Sequence, residues 1–186
     1  MNLTVPNLLS LLRMALIPLF VIAILQGKPL RALVLFTVAG VTDALDGLIA
    51  RFYRQQSVLG AYLDPIADKL LLISAYVMLA IPGIHPGLQI PIWVSVLVIA
   101  RDVLIVVLVV VLHLALKVPS FPPSPLSKLN TVAQIVAVIL VLASGRLAQL
   151  DPFATAAVYL AGVLTVASAV DYGFRTNRIV AERTGS

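Results

Sequence analysis

Apolar residues run along this chain in six long stretches, at 7–26, 30–53, 61–81, 91–116, 125–146 and 151–174. Each is near the ~20 residues an α-helix needs to cross a bilayer, or a little longer. Three of the breaks carry turn chemistry: Gly27-Lys28-Pro29, Pro82-Gly83 through Pro86-Gly87, and Pro119 through Pro125. The break around Gln55 to Ser57 is weaker. The pattern predicts an all-α integral membrane protein with six transmembrane helices after a short N-terminal interfacial segment. Residues 1–186 form a single membrane domain on this reading. Pro6 suits the first turn of the first helix. The polar residues from Arg175 to Ser186 are expected to fray.

Composition supports the bilayer as solvent. The chain is 61% hydrophobic and 11% charged, against about a quarter charged in soluble domains. Its mean hydropathy is +1.08. The net charge of +5 does not point to nucleic acid, because the basic residues are scattered between apolar runs. Cysteine is absent, which excludes disulfides and thiolate chemistry. No cleavable leader is expected, since the first residues lack a basic region and no small-residue cleavage site follows the first apolar run.

Basic residues set the orientation. With the N-terminus in the cytoplasm, that side receives Arg51, Arg54, Lys117, Lys128, Arg175, Arg178 and Arg183. The other side receives Lys28, Arg31 and Arg146. The positive-inside rule favours this arrangement.

The informative stretch is DALDGLIARFYRQQSVLGAYLDPIADK, beginning at Asp43. Four aspartates stand close to or inside membrane helices, where carboxylates are costly and therefore functional candidates. Asp43 and Asp46 are three apart, and Asp64 and Asp68 four apart, so each pair shares a helix face. A short connection makes the two helices antiparallel neighbours and lets all four carboxylates converge. Their mutual repulsion calls for one or two divalent cations, and all-oxygen ligation suits Mg²⁺ or Mn²⁺. Gly47 and Gly60 let a bulky ligand approach the backbone. Arg51, one turn from Gly47, can pair with phosphate. The implied chemistry is displacement at phosphorus, with a carboxylate accepting the proton of an attacking hydroxyl.

Asp43-x-x-Asp46-Gly47-x-x-Ala50-Arg51, followed by Gly60-x-x-x-Asp64-x-x-x-Asp68, resembles the signature of the CDP-alcohol phosphatidyltransferase family at every fixed position. The likeness extends to TVPNLLSLLR, where Asn7, Ser10 and Arg13 form a polar stripe, to LDPIADKL with Lys69, and to IARD with Arg101 and Asp102. It also takes in SKLNTVAQ, which puts Lys128, Thr131 and Gln134 on one face of the fifth helix. The resemblance implies a homodimer of six-helix chains in a bacterial cytoplasmic membrane, with two Mg²⁺ or Mn²⁺ ions per site facing the cytoplasm. It assigns metal binding to Asp43, Asp46 and Asp64. Asp68 becomes the catalytic base with a share of the second metal, while Asp43, Gly47, Ala50, Arg51 and Gly60 shape the CDP site. Asn7, Arg13, Arg101 and Lys128 are candidates for acceptor or phosphate contact. Arg101 and Asp102 are adjacent, so they are not expected to face each other.

The donor implied is CDP-diacylglycerol. Phosphatidylglycerophosphate synthases of this family carry Arg-Glu in the fourth helix and two lysines in a Gly-Lys-x-Lys-Thr stretch. Here Arg101-Asp102 and Ser127-Lys128-Leu129-Asn130-Thr131 stand instead, which resembles the CDP-alcohol type of cardiolipin synthase. A phosphomonoester acceptor brings nearly two charges and rewards two cations, whereas a phosphodiester brings one. Phosphatidylglycerol is therefore the favoured acceptor and glycerol 3-phosphate the alternative. The rival of another class, a divalent-cation transporter, would want acidic residues along a path across the bilayer. Here the four aspartates are gathered at one side. His85, in a loop, suggests no role.

Overall fold

The computed structural model describes the backbone of residues 5–53, 58–116 and 124–184, and the side chains of residues 11–42, 69–108 and 124–177. The described residues form six α-helices and no strand. They are α1 (Val5–Leu25), α2 (Pro29–Tyr53), α3 (Val58–Ala80), α4 (Ile92–Leu116), α5 (Pro125–Ser144) and α6 (Asp151–Thr184). A 3₁₀ turn, Ala148–Leu150, leads into α6.

The punctuation of the sequence explains most of these boundaries. Gly27 has φ +62°. It closes α1 in a Schellman turn, with the Lys28 N–H donating to the Ala23 carbonyl at 3.0 Å. Ser124 caps α5, its Oγ accepting from the Ser127 N–H at 3.0 Å, and Pro125 occupies the first helical position. The end of α6 departs from expectation. Helix continues to Thr184 instead of fraying beyond Arg175. Two one-turn contacts support the extension. Asp171 pairs with Arg175 at 3.2 Å, and the Thr176 hydroxyl donates to the Tyr172 carbonyl at 2.9 Å.

One core joins the helices. Helix α1 packs on α2 and α3, α5 on α6 and α2, and α4 on α6 and α3. Phe20, Phe36, Leu72, Tyr76, Val98, Val138 and Leu142 are buried within it. The outer surface is also apolar: Val163 is 66% and Phe174 73% exposed. A water-soluble protein does not present such faces on every side, whereas a bilayer accepts them. Among the described residues, Pro125–Ser144 and Ala148–Asn177 are long and apolar enough to cross a membrane.

The loop between α3 and α4 packs against the end of α5. The Leu88 N–H donates to Ser144 Oγ at 3.2 Å. A methyl group at Gly87 would stand 2.6 Å from the Gly145 backbone nitrogen. Gly87→Ala is therefore expected to lower the thermal midpoint, because overpacking against backbone costs about 1–3 kcal/mol. Thermal unfolding in detergent checks this.

Candidate active site

Helix α2 carries Asp43, Asp46, Gly47, Ala50 and Arg51, and α3 carries Gly60, Asp64 and Asp68. The side chains of these eight residues lie outside the described residues, as do those of Asn7 and Ser10. The backbone still places both aspartate pairs in continuous helix, so each pair occupies one turn. Helices α2 and α3 touch, and four residues, 54–57, link them. The donor set is carboxylate throughout, which fits a hard divalent cation. Among the described residues there is no other cluster of three or more metal-ligating side chains.

A charged network begins where the aspartate motif ends. Lys69 follows Asp68 on α3 and reaches α4, its Nζ 2.7 Å from Asp102 Oδ2. Arg101 Nη1 donates to Asp102 Oδ1 at 2.8 Å. Arg101 Nη2 donates to Ser127 Oγ on α5 at 2.7 Å and also to Ser168 Oγ on α6. Asp102 thus holds cations from two helices, and Arg101 ties α4 to α5 and α6. Arg101, Asp102 and Ser168 are buried. A buried guanidinium and carboxylate are tolerable only when paired and hydrogen-bonded, as here.

The contact between Arg101 and Asp102 corrects the expectation from their adjacency. Neighbouring positions point ~100° apart on a helix. The long arginine side chain nonetheless bends round to the carboxylate at 2.8 Å.

This network lines a cavity of about 540 Å³ between α3, α4, α5 and α6. Lys69, Arg101, Asp102, Lys128, Thr131 and Tyr172 contribute its polar wall. Lys128 has no side-chain partner among the described residues. The wall continues onto Val106 and Val132, each more than half exposed on the outer surface. Arg13 is buried on α1 and is not among the residues lining this cavity.

Two sequence expectations change at α5. Gln134 does not share the cavity face with Lys128 and Thr131. Six residues on, it has rotated ~120° round the helix, and it is fully buried with its Nε2 3.4 Å from Thr165 Oγ1. Asn130 is also fully buried, its Oδ1 3.0 Å from Thr165 Oγ1 on α6. It does not line the cavity, so its identity does not set the number of cations there.

Sequence reasoning did not find the partnership of Lys69 with Asp102, nor the hydrogen bonds that Ser127 and Ser168 accept from Arg101. Those contacts join residues 33, 26 and 67 positions apart, with no local periodicity to betray them.

Comparison with known proteins identifies the family. The family model described as CDP-alcohol phosphatidyltransferase matches residues 3–168. A Mycobacterium tuberculosis protein named probable phosphatidylglycerophosphate synthase is 37% identical over 182 residues, covering 92% of this chain and 81% of that one. The CDP-diacylglycerol–glycerol-3-phosphate 3-phosphatidyltransferase of Pectobacterium atrosepticum is 34% identical over 175 residues, covering 92% and 94%. Human cardiolipin synthase (CMP-forming) is 35% identical over 157 residues, covering 76% of this chain and 50% of that one.

Proposed function

The chain belongs to the CDP-alcohol phosphatidyltransferase family and is an enzyme of that class, and on that premise we propose that it transfers the phosphatidyl group of CDP-diacylglycerol to phosphatidylglycerol, forming cardiolipin and CMP. The observation that carries the choice of acceptor is the cavity beside the aspartate motif. Its cationic wall at Lys69, Arg101 and Lys128 runs directly onto exposed Val106 and Val132. A phosphodiester headgroup fits the first part, and acyl chains leaving sideways into a bilayer fit the second. Family membership displaces the ion-transport reading.

The six helices cross the membrane in this account, with the N-terminus and the site on the cytoplasmic side of a bacterial inner membrane, and the chain works as a homodimer. Asp43, Asp46 and Asp64 would hold two Mg²⁺ or Mn²⁺ ions, and Asp68 would share in holding the second. Bound there, the ions would neutralise the diphosphate and make its phosphorus more electrophilic. Asp43, Gly47, Ala50, Arg51 and Gly60 seat the CDP moiety. Lys128 and Arg101 orient the acceptor, with Asn7 and Arg13 on α1 as further phosphate contacts. Asp68 takes the proton from the acceptor hydroxyl. The oxygen attacks the phosphorus that bears diacylglycerol, the bond from that phosphorus to the CMP oxygen breaks, and CMP leaves.

A second acceptor has its own support. The relatives covering nine-tenths of this chain include proteins named for glycerol 3-phosphate or phosphatidylglycerophosphate. Asn130 gives no reason against that acceptor, because it packs on Thr165. Purified protein offered CDP-diacylglycerol with each acceptor separately decides the matter. Cardiolipin formed from phosphatidylglycerol, and no turnover of glycerol 3-phosphate, is the expected result. Turnover of glycerol 3-phosphate alone would overturn the acceptor and leave the enzyme class standing.

A further inference from the structure

A second cavity, of about 480 Å³, opens between the α1–α2 turn, the loop between α3 and α4, and the end of α5. It lies away from the aspartate motif. Its wall includes Pro29, the first residue of α2, and Asp43 follows fourteen residues later in the same helix, about 21 Å along the axis at 1.5 Å per residue.

Three cations line it: Lys28, Arg31 and Arg146. They are the three basic residues that the topology argument places on the far side of the membrane. The positive-inside rule thins basic residues on that side, so orientation does not explain why those present meet in one cavity from sites 115 positions apart in sequence. No acidic residue lines the cavity among the described residues. Lys28 Nζ donates to Gln26 Oε1 at 2.9 Å, while Arg31 and Arg146 have no side-chain partner among the described residues.

Two further features suit an anion. The wall includes the first turn of α2, where Ala32 is the first residue whose N–H has a backbone partner, the Lys28 carbonyl at 3.1 Å. The N–H groups of Leu30 and Arg31 before it form the positive end of the helix dipole. Behind the wall lies His85, 6% exposed. Its Nδ1 accepts from the Gly87 N–H at 2.9 Å, which puts the proton of the neutral ring on Nε2. Burial holds this imidazole below its usual pKa, keeping it neutral. Its Nε2 is buried with no partner among the described residues. A methyl group at Gly145, on the cavity wall, would stand 2.9 Å from that nitrogen, so the bare glycine brings the imidazole edge to the wall.

We propose that this cavity binds the phosphate of an anionic phospholipid from the leaflet opposite the active site, through Lys28, Arg31 and Arg146. The choice of a lipid over free phosphate comes from what adjoins the cations. Leu30, on the wall, is 49% exposed, and Val34, one turn on, is 53% exposed. They form an apolar track on which acyl chains can lie. The inference uses the membrane-crossing reading to name the leaflet, but not the choice of acceptor.

The test uses diacyl phosphatidic acid, which has a phosphate but neither a CDP group nor an acceptor hydroxyl. The full chain is held in phosphatidylcholine nanodiscs, and retained phosphatidic acid is counted by native mass spectrometry. Arg31→Gln with Arg146→Gln is expected to weaken retention about tenfold or more, since each basic residue contributes to anionic-lipid attraction. Lys128→Gln, in the other cavity, is expected to leave retention at that site in place. The thermal midpoint in phosphatidylcholine alone checks folding. Where the double variant does not fold, Arg146→Gln on its exposed turn replaces it, with a smaller loss expected. Equal retention by wild type and variant would overturn the proposal, and so would loss caused by Lys128→Gln instead. Displacement of the lipid by millimolar inorganic phosphate would overturn the choice of a lipid. None of these readouts depends on CMP release, so failure here is distinguishable from failure of the proposed reaction.

Discussion

Alanine at Asp43, Asp46 or Asp64 is expected to abolish metal-dependent CMP release, and asparagine at Asp68 to slow it by ~10²–10⁴-fold, the usual contribution of a positioned base. The difference follows from the two roles. A missing ligand leaves the remaining carboxylates with too few donors to hold an ion against their own hydration. Asparagine at Asp68 keeps the size and polarity of the side chain but cannot accept the hydroxyl proton. The Asp68→Asn enzyme should therefore bind CDP-diacylglycerol better than the alanine variants do, while turning over far more slowly than wild type. Steady-state CMP release and a separate CDP-diacylglycerol binding measurement check this. Near-normal turnover in any of the four variants would break the assignment. Both aspartate pairs stand in unbroken helix on helices that touch, which is what makes convergence on one site physically reasonable.

The second large effect is expected at Asp102. Its carboxylate receives Lys69 Nζ at 2.7 Å and Arg101 Nη1 at 2.8 Å, and its side chain is 3% exposed. Asp102→Ala would leave the buried guanidinium of Arg101 without its anion. Removing one partner from a buried pair costs about 3–5 kcal/mol. The variant should show a clearly lowered thermal midpoint and reduced turnover together. Lys69 is 30% exposed, so solvent screens its half of the arrangement. Lys69→Met should consequently cost less stability than Asp102→Ala. Arg101→Met with Asp102→Leu removes both charges of the buried pair, and is expected to recover much of the midpoint while turnover stays low. That pattern would separate a structural contribution of the pair from its part in the cavity wall. Recovery of turnover in the double variant would contradict a role for Arg101 in holding the acceptor.

The helices were largely legible because their causes are local. Apolar runs of near-spanning length, the glycine at position 27 and the Ser124-Pro125 start place most helix ends within a few residues of those observed. The end of α6 was not legible. A polar composition suggests fraying, but the one-turn contacts at Asp171–Arg175 and Thr176–Tyr172 accompany a helix running to Thr184. The aspartate motif stood out in sequence because charge at membrane depth is conspicuous and its spacing matches a helix turn. The cavity beside it did not, since Lys69, Arg101, Ser127 and Ser168 meet only through tertiary packing. Asn130 shows the opposite failure. Its position beside Lys128 suggested a place in the site, yet helix rotation turns it into the contact with Thr165. His85 offered no signal at all until Gly87 and Gly145 were seen packed against it.

The most direct test is CMP release by the purified wild-type protein from CDP-diacylglycerol, with phosphatidylglycerol and glycerol 3-phosphate both present, as divalent metal is removed and restored. The account predicts no release in the presence of a chelator and full recovery on adding Mg²⁺ or Mn²⁺ in excess. Undiminished CMP release in the chelator would contradict it.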